Sequence, residues 1–304
     1  MKVVLDMDPG IDDAIALLLA LNNPKLEVVA VTTVSGNVSV SKATLNALRV
    51  IEASGKYTSV YKGAGRPLNK RWRPIQAESV HGTDGLGNSH LAVPLLRAEK
   101  TEAVDRLVEL LSTHKRKAIS IVATGPLTNV ATLLQNEPSA AGKLDRIFVM
   151  GGICDALTRG NVTEYAEFNF YRDPEAAEIV MSAPDKKPLT IVLSGLDVTG
   201  SPACAIRNNE LAMICSIKNR IANLVCRILQ YPVRTFSYFN LHDVFALFSM
   251  VHSEIFKMDR CGVRVSSSVN FRGRCAISSG KGNVFVCKKV NHAKFNEFLL
   301  DGLR

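Results

Sequence analysis

The chain has 304 residues and a mass of 33.1 kDa, enough for a sizeable core in one large domain or two smaller ones. Apolar residues make up 47% and charged residues 21%, which excludes a disordered or collagen-like chain. The formal charge is +9, from 37 Lys and Arg against 28 Asp and Glu, yet the basic residues are scattered and form no aromatic-interleaved stripe of the nucleic-acid-binding kind.

Taken in order, the first half alternates short apolar strands with amphipathic helices. Lys2–Leu5 reads as strand, Pro9-Gly10 as turn and Asp12–Leu21 as helix. Val28–Thr33 is strand, Ser41–Ala53 helix and Ser59–Tyr61 strand, followed by a long Gly-, Pro- and Arg-rich loop from Gly63 to Gly87. Then come helix Thr101–Thr113, strand Ile119–Ala123, helix Leu127–Leu134 and strand Ile147–Val149. Helix Asp173–Met181, with Pro174 in its first turn, leads to strand Leu189–Leu193. From Asn208 onward the pattern is helical: Glu210–Ser216, Ile221–Tyr231 and Val244–Ser253. A β-like tail (Cys261–Phe271, then Val284–Val286) and a helix Ala293–Leu300 follow.

Strands spaced by helices predict an α/β fold, a mostly parallel sheet covered on both faces, with active loops at the carboxyl ends of the strands. With no repeat and no long linker, one domain over 1–304 is expected. The apolar run Ala14 to Leu21 is too short to span a membrane, and four early aspartates interrupt any signal-peptide core, so a cytoplasmic protein is expected. Seven cysteines, none closer than eleven positions, give no metal-knuckle or redox-pair spacing and read as reduced, mostly buried thiols.

The segment Asp6-Met7-Asp8-Pro9-Gly10-Ile11-Asp12-Asp13 carries most of the chemical information. One or two carboxylates suit a helix start, where the dipole and free amides favour them. Four within eight residues, folded back by Pro-Gly, repel unless a hard, oxygen-seeking cation such as Ca²⁺ or Mg²⁺ lies among them. Phosphatases of the haloacid-dehalogenase type also open with two aspartates two apart. Their pattern continues with Gly-Thr, whereas this chain continues Pro-Gly-Ile-Asp-Asp.

This opening closely resembles the signature of the nucleoside hydrolases, the inosine–uridine-preferring N-ribohydrolases. The resemblance recurs in order at Thr33-Val34-Ser35-Gly36-Asn37, His81-Gly82-Thr83-Asp84-Gly85-Leu86-Gly87 and Ala123-Thr124-Gly125-Pro126-Leu127-Thr128-Asn129. It continues at Met150-Gly151-Gly152, Ala166-Glu167-Phe168-Asn169, Asp173-Pro174-Glu175-Ala176-Ala177 and Leu241-His242-Asp243.

The resemblance implies Ca²⁺-dependent hydrolysis of a ribonucleoside to ribose and free base, in nucleoside salvage, by a homodimer or homotetramer. It implies Asp8 as metal ligand and general base, with Asp13, Asp243 and the Thr124 carbonyl completing the protein's share of the metal shell. Asp12 matches the ribose 2′-hydroxyl contact, Asn169 the 3′ side, and Asn161 and Glu167 the 5′ end, with Asn37 and Met150 lining the sugar site. His242 is the expected proton donor to the leaving base and His81 a neighbour of the base, whereas Asp6 is expected only to support the loop.

Purine-specific members stack the base between tryptophans. This chain has one, Trp72, so the uridine, cytidine and inosine branch is expected. Gln230, Tyr231, Phe236 and Tyr238 are candidates for the base pocket. The competing functions are the dehalogenase-type phosphatase and a nucleoside-binding protein without catalysis.

Overall fold

The computed structural model describes residues 1–72, 75–183, 189–280, 282 and 284–304. The chain runs through β1 (Lys2–Met7), α1 (Ile11–Asn22), β2 (Glu27–Thr33), α2 (Val40–Ser54), β3 (Val60–Lys62), α3 (Glu78–His81) and α4 (Ala103–Thr113). Next are β4 (Ile119–Ala123), α5 (Thr128–Asn136), α6 (Pro138–Ala141), β5 (Arg146–Met150), α7 (Phe168–Arg172), α8 (Pro174–Ser182), β6 (Thr190–Ser194) and α9 (Leu196–Thr199). It closes with α10 (Asn208–Ser216), α11 (Arg220–Phe236), α12 (His242–Val251), β7 (Phe256–Val265), β8 (Cys275–Ser279), β9 (Val284–Val290) and α13 (His292–Gly302).

Nine strands form one sheet in the order β3-β2-β1-β4-β5-β6-β9-β7-β8. Neighbours from β3 across to β9 are parallel, and β7 runs antiparallel to both β9 and β8. This is the expected α/β architecture.

Helices cover both faces, so the strands are apolar on both sides, as parallel sheets require. Alternation along β1 divides its side chains: Val3, Leu5 and Met7 enter the core beneath α1, α11 and α12, while Val4 enters the core beneath α4, α5 and α8. Local chemistry fixes the element ends. Ser39 accepts from the Lys42 amide at the start of α2, and Gly55 ends that helix at φ 73°.

Three expectations change. The first strand extends past Leu5 to Met7, and the polar Asp6 within it accepts from Thr32 and Asn129 through Oδ1, while its buried Oδ2 has no partner among the described residues. The helix expected from Val244 begins at His242, which puts His242 and Asp243 in its first turn. Cys215 and Cys226, expected as free thiols, are joined in a disulfide: the α10–α11 pair brings their Cα atoms to 5.1 Å. Among the described residues no helix is long and apolar enough to cross a membrane.

Candidate active site

The strand order from β3 to β6 reverses direction between β1 and β4, and in open α/β sheets ligands settle beyond the carboxyl ends of strands at such a point. Asp8 follows β1 and Thr124 follows β4. The Pro9-Gly10 turn then brings Asp12 and Asp13 into the first turn of α1.

Asp13 is held on three sides. Its Oδ1 accepts from Thr124 Oγ1 at 2.7 Å, and its Oδ2 accepts from the Gly10 amide at 3.0 Å and Asn37 Nδ2 at 3.1 Å. Asp8 Oδ2 accepts from the Asn37 amide at 2.5 Å, while its buried Oδ1 has no partner among the described residues. Two glycines make room for this carboxylate: a Cβ at Gly36 would overlap Asp8 Oδ2, and one at Gly125 would stand 2.6 Å from Oδ1. Asp243 reaches in from α12, and single oxygens of Asp12, Asp13 and Asp243 lie within 4.8 Å of one another.

Burial, then the Asp13 charge, pushes the Asp8 carboxyl well above the usual range. The same two causes lift Asp12 to about 7. Burial, then the charges of Asp12 and Asp13, raises Asp243 far as well. Such mutual repulsion, an all-oxygen donor set and an unpartnered Asp8 oxygen fit a hard divalent cation.

The sugar-binding candidates lie beside this cradle. Glu167 caps α7, accepting from the amides of Asn169 at 2.8 Å, Phe170 at 3.1 Å and Gly152 at 2.9 Å. Burial, outweighing those hydrogen bonds, pushes its carboxyl up to about 7. Asn169 Nδ2 donates to the Thr124 carbonyl at 2.7 Å and the Met150 carbonyl at 3.3 Å. Asn161 lies exposed at the rim.

A cavity of about 730 Å³ opens above, lined by Asp12, Asn37, His81, Thr124, Met150, Asn161, Glu167, Asn169, His242 and Asp243. Burial, followed by the His242 charge, lowers His81 to about 3, and burial lowers His242 to about 4. Both imidazoles are therefore neutral near pH 7. The Ile11 amide donates to His81 Nδ1 at 3.0 Å, so the single ring proton of His81 sits on Nε2.

A family model described as inosine-uridine preferring nucleoside hydrolase matches residues 3–297. This chain belongs to that family. As a nucleoside hydrolase it cleaves the N-glycosidic bond of ribonucleosides. It is 33% identical to the pyrimidine-specific ribonucleoside hydrolase RihA of Photobacterium profundum, over 99% of this chain and 98% of that one. It is 34% identical to probable uridine nucleosidase 1 of Oryza sativa subsp. japonica, over 92% and 85%. The solved plant nucleoside hydrolase PpNRh1 superposes with a TM-score of 0.91 at 29% identity, covering 99% of this chain and 98% of that one.

The nucleoside hydrolase site also holds residues that sequence reading missed. Arg172, 1% exposed, donates from Nη2 to the Ser35 carbonyl and hydroxyl at 3.2 Å each, bracing the loop that meets Asp8. Thr199 meets His242 Nδ1 at 2.8 Å. Phe168, Phe239 and Asn240 line the cavity along with the expected Phe236 and Tyr238, whereas Gln230 and Tyr231 do not line it. Trp72 lies outside the cavity, edge-on to Tyr171 and beneath the Arg272 guanidinium at 4.0 Å. Asp6, which a dehalogenase-type phosphatase would need as nucleophile, is wholly buried, with its Oδ1 accepting from Thr32 and Asn129.

Proposed function

We propose that this enzyme is a Ca²⁺-dependent, single-domain hydrolase of uridine, cytidine and inosine, acting in nucleoside salvage in the cytoplasm as a homodimer or homotetramer. The observation that carries the reading is a buried all-oxygen cradle opening into a cavity with two neutral histidines. The carboxylates of Asp8, Asp13 and Asp243 and the carbonyl of Thr124 would hold the cation. Up to eight oxygen donors at flexible angles suit Ca²⁺ better than Mg²⁺. When bound, the cation acidifies a water and orients the sugar's vicinal hydroxyls.

Asp8 takes the water's proton through Oδ1, the oxygen that has no partner among the described residues. The water oxygen bonds to C1′ as the bond from C1′ to the base nitrogen breaks, and that electron pair leaves with the base. Asp12 binds the 2′-hydroxyl, Asn169 the 3′ side, and Glu167 and Asn161 the 5′-hydroxyl, with Asn37 and Met150 against the sugar. His242 and His81 act as neutral N–H donors to the base, stabilising the charge it takes with it. The choice of uridine and cytidine draws on the similarity to a uridine nucleosidase and a pyrimidine-specific hydrolase, and that of the wider set on a lone Trp72 outside the cavity.

A binding protein without catalysis would need a broken cradle, yet Asp8, Asp13 and Asp243 are all present. The deciding assay incubates the enzyme with uridine, cytidine, inosine and adenosine in phosphate-free buffer, with Ca²⁺ or with chelator, and follows ribose and free base. Base release that needs Ca²⁺ supports the proposal. No turnover of any nucleoside with Ca²⁺ present overturns it.

A further inference from the structure

Helix α9 follows β6 and packs against α12, whose His242 lines the cavity. The start of α9 is tied to the loop after β5, the Leu196 amide donating to the Gly152 carbonyl at 2.9 Å, and its own turn closes through the Thr199 amide to the Gly195 carbonyl at 3.0 Å. Asp197 Oδ1 accepts from the Cys154 amide at 2.8 Å. This anchorage fixes Thr199, wholly buried, with its hydroxyl 2.8 Å from Nδ1 of the half-buried His242.

We propose that Thr199 is a positioning residue for the hydrolytic reaction, its hydroxyl holding the His242 ring so that the Nε2–H faces the departing base. This rests on the role proposed above for His242. A histidine ring has a broad torsional well about its last side-chain bond, so packing alone fixes its orientation poorly. A hydrogen bond at Nδ1 settles orientation and tautomer together.

The direction of the bond follows from the hydroxyl's surroundings. Among the described residues Thr199 Oγ1 has no other hydrogen bond. If it accepted from Nδ1–H, its own proton would stand buried and unpartnered, and Nε2 would present a lone pair to the carbonyl oxygens of the base. Donation from Thr199 avoids both. The same device acts at His81, where a backbone amide, Ile11 N–H, occupies Nδ1. Two unrelated donors thus give two rings of the same tautomer, each with an N–H for the base.

The test uses Thr199→Val, which keeps the shape and removes the hydroxyl, Thr199→Ser, which restores it, and His242→Ala. Each is assayed on uridine, inosine and nitrophenyl riboside, whose leaving group departs as a stable anion and needs no donor. Thr199→Val is expected to lower kcat on the nucleosides about tenfold with KM within about twofold, and to leave nitrophenyl riboside within about twofold. Thr199→Ser recovers most of the loss, and the Thr199→Val, His242→Ala double variant loses no more than His242→Ala. Imidazole ¹⁵N NMR is expected to find the Nε2–H tautomer of His242 in the wild type and a mixture in Thr199→Val. Equal losses on all three substrates, or an unchanged tautomer in Thr199→Val, would overturn the proposal. If His242→Ala loses equally on every substrate, the proposed role of His242 fails and this proposal with it. If His242→Ala is selective and Thr199→Val is silent, only the Thr199 proposal falls.

Discussion

At Asp8, stability and chemistry pull in opposite directions. Burial and the Asp13 charge raise its carboxyl well above the ordinary range, so the ionised form at neutral pH weighs against the metal-free fold. Asp8→Asn is therefore expected to raise the Tm measured in chelator while lowering kcat by roughly 10²–10⁴-fold, the usual share of a general base. A fall in both would show that Asp8 mainly holds the loop in place. Glu167 offers a pH test. Its carboxyl is raised to about 7, so the folded protein binds a proton more tightly than the unfolded chain, and stability falls as pH rises from about 4.5 to about 7. Asp6, raised to about 6, and Asp12, raised to about 7, act in the same sense, so the comparison must be with a variant. Denaturation of Glu167→Gln across that window should show a shallower decline, by up to about 1.4 kcal/mol per pH unit for the one proton removed. The acidic opening was legible in the sequence because Asp6 to Asp13 are neighbours along the chain. Arg172 and Thr199 were not, since a lone arginine or threonine gains its meaning from Ser35 or His242, which only the fold brings near.

Between helix α11 and the segment that follows α3, one contact tests how elements shape the site. Pro232 lies inside α11 and has no N–H, so the Ile228 carbonyl lacks the donor that an unbroken helix would supply. Gly87 packs there: its φ is +66°, and a Cβ would collide with that carbonyl oxygen. The Gly87 amide also donates to the His81 carbonyl at 2.8 Å. Gly87→Ala is expected to lose stability by about 1–2 kcal/mol from the left-handed backbone alone, more with the clash, and to raise KM as α3 and its His81 shift. Chemical denaturation and initial rates check both. The strands up to β6 and the longer helices between them were legible because their periods are clean and their partners parallel, whereas the one-turn helices α3, α6 and α7 were too short to show a period. The tail was not: the β7–β8 hairpin interrupts its β pattern with the turn at Val269–Phe271, and β9 pairs between β6 and β7. The Cys215–Cys226 pair was hidden for a similar reason, since a spacing of 11 says nothing until two helices lie side by side.

The whole molecule is joined to its cation through the cradle. Anything that binds the folded state alone stabilises it, by about 2.7 kcal/mol at a hundred times its Kd. Adding Ca²⁺ to chelated enzyme should therefore raise Tm by several degrees, and more than equimolar Mg²⁺ does; a Tm indifferent to both would leave the cradle without its ion. The sheet's mostly parallel character was readable from the alternation of elements, but its strand order was not, because nothing in the local sequence of β1 names β4 as its neighbour. That order puts the first strand made inside the sheet, flanked by β2 and β4, and the cradle joins aspartates of α1 to one of α12. On the ribosome, at 5–20 residues per second, the aspartates of α1 emerge roughly 10–50 s before Asp243. Throughout that interval the nascent chain carries an apolar strand without its central partners and an acidic cluster with no complete ion shell. The site cannot close until α12 has emerged, and chaperone dependence should be greatest for chains halted just short of α12.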